Sequence, residues 1–500
     1  MLTAVAAAAT RHGCRTWLGS STTHSACLVS TSNRTDMSRF LPHGSASRKE
    51  MCRVIGVETV DDLFDEIPEH VRIEDARVLD LPESMSEMEV EAFFRKMSHK
   101  SISASQVPFF VGGGLYRHHV PAVVDHLIQR SEFLTSYTPY QPEVSQGTLT
   151  TVFEFQTQVA MLAGLDVANA SLYDGATACA EASAMAARVT KRKKVLASGS
   201  LNPRYVEVMK TYGEHNTTWT LETLPADIDG SEDVREQITS DLAAVVVQNP
   251  TVFGHCVDYT PLAEKCKEQG VLLILCTSEV VSLGLLKNAG EMGADIFVAE
   301  GQSLGNALNF GGPTVGLFAC RQKLIRQMPG RVVGETLDAD GNRAFVLTLA
   351  TREQHIRREK ATSNICTSAG LCALAFSIHA TLLGEEGLRT MALLNHSKAC
   401  ELADMISKTV QTVEIVNQTY FNELTIKLPE GIRGSTVIQH MADRGVLGGV
   451  AIPTLYGPDS GLEDNYIISA VTELTTTADM EMFCKFLGKM TVKTSALCLE

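Results

Sequence analysis

The stretch "GADIFVAEGQSLGNALNFGGPTVGLF", Gly293 to Phe318, sets out a place for chemistry and leaves its central residue missing. Ile296, Phe297 and Val298 lie between turn signals and predict a short buried strand over Asp295 to Ala299. A loop, the "GGP" of Gly311 to Pro313 and a second apolar run follow. In this layout a lysine just past the strand would hold pyridoxal phosphate as a Schiff base. Ser303 stands there instead, and no lysine occurs between Lys287 and Lys323. A serine cannot form the imine, which excludes covalent pyridoxal chemistry at this position.

Three other stretches offer functional groups. In "DGAT", Asp174 can cap a helix whose first N–H groups, from Gly175 onward, would cradle a phosphate together with the Thr177 hydroxyl. The same small residues equally permit close packing of helix on sheet. "LLILCTSEV" runs into Glu279, an acid that suits either a pyridinium counter-charge or a solvent-facing loop. "SYTPYQPEVSQG", Ser136 to Gly147, cannot be a regular helix or central strand because of Pro139 and Pro142. It presents Tyr137, Tyr140, Gln141 and Glu143 from a stiffened loop.

Positioning these groups requires alternating elements. "TLTTVFEFQTQVAMLAGL" has apolar residues at helical spacing, with Gly164 as C-cap. An alanine-rich helix follows Asp174, and "KRKK" (Lys191 to Lys194) ends it with cations that offset the helix dipole. The apolar runs "KVLASG", "AAVVVQNP" and "VLLILCT" then alternate with helical segments near Arg204 to Tyr212 and Pro261 to Gly270. Buried β-branched strands alternating with helices predict parallel βαβ units and a doubly wound α/β domain. Beyond Leu383 a long helix over Glu385 to Val410 leads into "TVEIVNQ", "NELTIKL", a helix over Ser435 to Arg444, "GGVAI", "YIISAV" and a last helix over Thr477 to Met490. The reading divides the chain into residues 1–36, an N-terminal segment and interface arm over 37–150, a large α/β domain over 151–383 and a small α+β domain over 384–500. A short acidic helix is expected from Asp61 to Pro68, and irregular chain from there to Pro108.

Composition narrows the class. At 44% hydrophobic and 20% charged, the 500 residues suit a soluble globular protein of two or three domains. A net charge of −15 argues against a nucleic-acid or anionic-membrane partner. No apolar run is read as reaching the roughly 18 residues of a membrane span, so membrane insertion is not expected. The 13 cysteines show no CxxC pair and no Cys/His cluster of zinc spacing. Adjacent His118 and His119 point in different directions on any regular element, so no metal site is expected. No GxGxxG follows the first strand, which counts against a nicotinamide dehydrogenase. Residues 1–36 carry Arg11, Arg15 and Arg34 among many Ser, Thr and Ala, with no acid before Asp36. That composition predicts an organellar transit peptide, mitochondrial in preference to chloroplast, and hence a matrix protein.

Several longer strings resemble a known family. "RSEFLTSYTPYQPEVSQGTLTTVFEFQTQVAMLAGLDVANASLYDGATACAEA", "GADIFVAEGQSLG", "NALNFGGP" and "MPGRVVGETLDADGNRAFVLTLATREQHIRREKATSNICT" are similar to the glycine-cleavage P-protein, and within it to subunit 1 of the split form. The resemblance runs from about Met37 to Met490. It implies a fold type I pyridoxal-enzyme architecture and the reaction of glycine dehydrogenase (decarboxylating). Pyridoxal phosphate would be held covalently by a partner, subunit 2. Glycine would be decarboxylated and its aminomethyl group passed to the lipoyl disulfide of H-protein.

Ser303 would then mark a degenerate pocket. Asn202 stands where relatives tend to have a histidine over the cofactor ring, and Glu279 where an aspartate is usual; both departures imply relaxed demands on Gly175, Thr177, Asn202, Glu279 and Ser303. Tyr137, Tyr140, Gln141 and Glu143 would be contributed to the partner's site. Arg352, Arg357 and Arg358 offer positive charge for docking an acidic lipoyl carrier. Two alternatives stay open: a self-sufficient pyridoxal lyase or aminotransferase using another lysine, and a non-catalytic scaffold of subunit 2.

Overall fold

A computed structural model describes residues 43–72, 84–214, 218–349, 361–363 and 365–491. The chain divides into two compact units, Met1–Ser98 and His99–Glu500. In the first, α1 (Ser45–Ile55) ends at Gly56, whose φ of 92° is a left-handed cap that favours glycine. The expected helix at Asp61 is a single 3-10 turn, Asp61–Phe64. Chain expected to be irregular instead contains α2 (Glu87–Ser98). Its start is a capping box: the Ser86 hydroxyl and amide donate to the Glu89 carboxylate, at 2.7 and 2.8 Å.

The second unit begins with two short helices, α3 (Ala122–Ile128) and α4 (Ser131–Leu134), and then α5 (Gln146–Ala163), which ends at Gly164 as its spacing predicts. Next come β1 (Val167–Ala168), α6 (Gly175–Thr190), β2 (Lys194–Ala197), α7 (Pro203–Glu214), β3 (Thr220–Thr223), β4 (Leu242–Gln248), α8 (Thr260–Gln269), β5 (Leu272–Thr277), β6 (Ile296–Glu300) and β7 (Gly316–Cys320). They form a seven-stranded sheet of order β1-β7-β6-β5-β4-β2-β3. β2 to β6 are parallel, as the alternation of runs predicts, but β7 is antiparallel to β6 and to β1. The second apolar run of the opening stretch therefore returns antiparallel between β6 and the edge strand β1, not as another βαβ unit.

Every residue of β4, β5 and β6 is buried. A strand covered on both faces reads as a continuous apolar run rather than an alternation. One face packs Val245, Leu273 and Phe297 against α5 and α8; the other packs Val246, Ile274 and Val298 against α6 and α7. The carboxyl ends of these parallel strands all point to one crevice, where ligands of open α/β sheets bind.

A hairpin of β8 (Val332–Leu337) and β9 (Arg343–Thr348), missed in the sequence, leads to α9 (Gly370–Thr409). Helical geometry breaks within α9 at Gly384 (φ 59°). Among the described residues α9 is the one helix long and apolar enough to cross a bilayer, contrary to the sequence expectation. Its first part instead buries Ala373 and Phe376 in the core beside α5, with Phe376 edge-on to Phe155 at 5.6 Å. The second sheet takes β10 (Glu414–Ile415), β11 (Glu423–Lys427), β12 (Val450–Ala451) and β13 (Tyr466–Ala470) in the order β10-β11-β13-β12. Helices α10 (Gly434–Ala442), α11 (Ile452–Tyr456) and α12 (Thr477–Thr491) accompany it. Its core joins Leu402 and Ile406 of α9 to Leu424, Ile467 and Phe483.

Candidate functional site

The predicted cofactor positions lie past the ends of β2, β5 and β6 and at the start of α6: Asn202, Glu279, Ser303, Gly175 and Thr177. Each is already engaged by the chain itself, or stranded by it.

Asp174 caps α6 as expected, accepting from the Thr177 amide at 2.7 Å and its hydroxyl at 2.8 Å. The cradle, however, holds a carboxylate of the same chain. Glu300, the last residue of β6, accepts from the Gly175 amide through Oε2 at 3.1 Å and from the Thr314 hydroxyl at 3.2 Å. Its Oε1 accepts from the amides of Gln302 and Val315 at 3.1 and 3.3 Å. Burial pushes this carboxyl up to about 7, against three backbone bonds that favour its charge.

Glu279 does not face solvent; it is 1% exposed. Its Oε2 lies 2.8 Å from Nε2 of His118, whose Nδ1 lies 2.9 Å from Glu473. Burial works against charge on that ring. The two carboxylates outweigh it and raise the His118 pKa to about 10, so the residue is an imidazolium clamped between them. His119 is exposed, as adjacency requires, and its amide donates to the other Glu473 oxygen at 2.6 Å.

The chain from Gly112 to His119 threads between these anchors. The Asn202 amide group donates to the Gly113 carbonyl at 2.8 Å, and a Cβ on Gly114 (φ 121°) would stand 2.6 Å from that same nitrogen. The Gly113 amide and the Tyr116 hydroxyl both donate to Glu423 of β11, at 2.6 and 2.9 Å. Burial raises Glu423 to about 7. Tyr116 also takes Gln302, two residues past β6, as acceptor for its amide at 3.1 Å. Asn202 and Glu279 are thus not relaxed positions, as their departures had implied. Both are buried and hydrogen-bonded. Ser303 is the exception: it is 2% exposed, and its hydroxyl has no hydrogen-bond partner.

Pyridoxal phosphate does not fit these residues. The lysine position is a serine, the first amide of the helix is taken by Glu300, and the acid that would face a ring nitrogen is paired to His118. Among the described residues no group of three or more His, Cys, Asp or Glu could hold a metal.

The tyrosine loop meets Cys366, whose amide donates at 2.8 Å to the hydroxyl of Tyr173, next to the helix cap Asp174. Tyr137 is 62% exposed, and Gln141 and Glu143 are exposed. Tyr140 is half-buried, and its hydroxyl accepts from the guanidinium of Arg331 at 2.8 Å, with that cation 5.5 Å from the ring centre. Arg331 is 6% exposed and has no carboxylate partner among the described residues. Its Nη1 donates to the Cys366 carbonyl at 2.6 Å, and its Nε has no partner. Thr138 and Thr367 share a hydroxyl bond of 2.6 Å. The loop is therefore docked on the segments around Arg331 and Cys366 rather than free. Arg352, Arg357 and Arg358 lie outside the described residues.

With this geometry in hand, comparison with known proteins places the chain. Residues 38–486 match the family model described as glycine cleavage system P-protein. The chain belongs to that family. A P-protein relative from Maricaulis maris, "probable glycine dehydrogenase (decarboxylating) subunit 1", is 55% identical over 454 residues, covering 90% of this chain and 99% of the relative. A crystal structure of the P-protein glycine decarboxylase in inhibitor-bound form superposes with a TM-score of 0.81 at 40% identity, covering 90% of this chain and 99% of that one. A cysteine desulfurase from Thermococcus onnurineus at 14% identity and a TM-score of 0.56 shares the fold alone. The fold type I architecture expected of a P-protein is thus the architecture found.

One expectation is overturned. The Maricaulis relative and the others of the same description are bacterial, from cells without mitochondria, so the mitochondrial-matrix assignment is withdrawn. A positive, acid-free, Ser- and Ala-rich stretch is a composition, not an address, and residues 1–36 lie outside the described residues. Sequence reasoning also missed Glu300, His118, Tyr116 and Glu423. Two signals were available in this P-protein: an acid closing a buried strand in "FVAEG", and three glycines opening "GGGLYRHH".

Proposed function

We propose that this chain is the non-lysine subunit of a two-subunit glycine dehydrogenase (decarboxylating). With a subunit 2 it decarboxylates glycine and passes the aminomethyl group to lipoylated H-protein. The observation that carries this reading is Ser303: the strand end where a Schiff-base lysine belongs holds a buried, unpartnered serine, within a lysine-free interval from Lys287 to Lys323. The cofactor is therefore held by the partner. No membrane insertion is part of this reading, because the apolar start of α9 is packed in the core.

The chain's own contribution is the loop over Ser136 to Gly147. Fold type I enzymes build their sites at subunit interfaces, and this loop is stiffened by two prolines and anchored by Arg331. It presents the Tyr140 hydroxyl, and exposed Gln141 and Glu143, at low ordering cost. Tyr140 accepts from Arg331, which leaves its own proton to donate outward, toward a carboxylate such as that of glycine.

Borohydride reduction followed by peptide mapping tests where the cofactor sits. The isolated chain incubated with pyridoxal phosphate should show no pyridoxyl-lysine, and the two-subunit complex should show it on the partner alone. A label on any one lysine of this chain, at a stoichiometry near one, would return the reading to a self-sufficient pyridoxal enzyme.

A further inference from the structure

We infer that the vestigial pocket of this chain is ligated by its own residues, with the Glu300 carboxylate acting as a built-in substitute for a phosphate at the N-terminus of α6. Four anchors of one crevice are satisfied internally. The helix N-terminus, which favours a negative charge, receives Glu300 through the Gly175 amide and the Thr314 hydroxyl. The acid at the end of β5, Glu279, receives a cationic ring nitrogen from His118. Asn202 is tied to the Gly113 carbonyl, and that same segment is tied through Gly113 and Tyr116 to Glu423 in the second sheet. These are the charge types a phosphorylated pyridinium cofactor would bring: an anion at the helix, a cation at the strand-end acid and a flat group between them. A Cβ on Gly112 would stand 2.0 Å from Glu423 Oε1 and one on Gly114 2.6 Å from Asn202 Nδ2, so at these two glycines a side chain would displace the groups that tie the segment down. Such a crevice is closed, not decayed.

Loss of the lysine alone would leave an anion-binding helix end open to phosphate esters. Glu300 removes that liability and lets β6, α6 and the returning strand β7 share one buried charge. It follows that the anion site is latent: it belongs to the fold and reappears when the carboxylate is removed.

The test compares wild-type chain, Glu300→Gln and Glu300→Ser, each in inorganic phosphate and in chloride at equal ionic strength. Soluble yield and thermal midpoint are the readouts. Glu300→Ser leaves room and an unpaired Gly175 amide, so phosphate should stabilise it selectively, with at least tenfold tighter binding than to wild type. Glu300→Gln fills the space without the charge and should respond no more than wild type. A Glu300→Ser chain that folds only in phosphate would support the inference as fully as one with a raised midpoint. The inference is overturned if Glu300→Ser gains nothing from phosphate over chloride. It is equally overturned if the wild-type chain already responds as strongly. Neither result depends on a partner subunit, so this outcome is independent of where the catalytic cofactor resides.

Discussion

Tyr140→Phe isolates one hydroxyl. In the folded chain that oxygen accepts from the Arg331 guanidinium at 2.8 Å, while the ring lies 5.5 Å from the cation. The substitution keeps the ring and its cation–π contact and removes the acceptor. Arg331 is 6% exposed and its Nε already lacks a partner, so the substitution takes a second hydrogen bond from a largely buried cation. Losing a hydrogen bond to a charged group costs about 1.5–3 kcal/mol. If the hydroxyl also donates to a carboxylate in the partner's site, its removal should lower turnover by a similar free energy, roughly 10- to 150-fold at about 1.4 kcal/mol per factor of ten. The assay assembles the variant with wild-type subunit 2, measures the assembled fraction by sedimentation, and then measures glycine-dependent CO2 exchange per assembled complex. Arg331→Met sharpens it. If Arg331 acts through the hydroxyl, the double variant should lose no more turnover than Tyr140→Phe alone, a coupling that only contacting residues show. Full assembly with unchanged exchange would refute the active-site role and leave the loop as interface packing.

Other expectations follow from the closed crevice and the core. His118 has a raised folded-state pKa, near 10 against an ordinary 6.5, so its stabilisation is complete below about pH 6.5 and is lost as pH rises toward 10. Thermal midpoints of wild type should therefore fall across that window, whereas His118→Gln should start lower and show a flatter slope; a parallel slope would exclude the clamp. Breaking such a buried pair should cost about 3–5 kcal/mol, because Glu279 loses its cationic partner in the interior. Phe376→Ala removes a fully buried ring that meets Phe155 and should cost about 3–5 kcal/mol in chemical denaturation of the second unit. Gly199→Ala places a Cβ 1.6 Å from the Pro225 carbonyl oxygen, a backbone atom, so the variant should be recovered mainly as insoluble chain. Wild-type-like solubility there would show that the turn after β2 can move.

The regular parts of the fold were legible because local signals agree with tertiary ones. Gly164 ends α5 in the left-handed region, Asp174 caps α6, and the all-buried runs of β4 and β5 announce a sheet covered on both faces. The β8–β9 hairpin is hard to see in the sequence because its strands are only partly buried, with mixed polar and apolar residues on both sides of the turn at residues 338–342. The direction of β7, antiparallel to β6 and β1, was not legible because an apolar run carries no direction. At the site, the sequence reading found the empty lysine position and the acid at Glu279 but not what occupies the crevice. Gly113 and Glu423 are 310 positions apart, and His118 and Glu473 are 355 apart. No local pattern encodes pairings at that range. Asn202 and Glu279 looked like drift for the same reason: their partners come from a segment that sequence reading had left without a role.

The most direct measurement of the central claim is glycine-dependent exchange of labelled CO2, with this chain and a cognate lysine-bearing subunit expressed separately and together, in the presence of lipoylated H-protein. The account predicts no exchange by this chain alone, little or none by the partner alone, and robust exchange when the two are combined. Exchange by this chain alone would contradict it, and so would a partner that reaches the full rate without it.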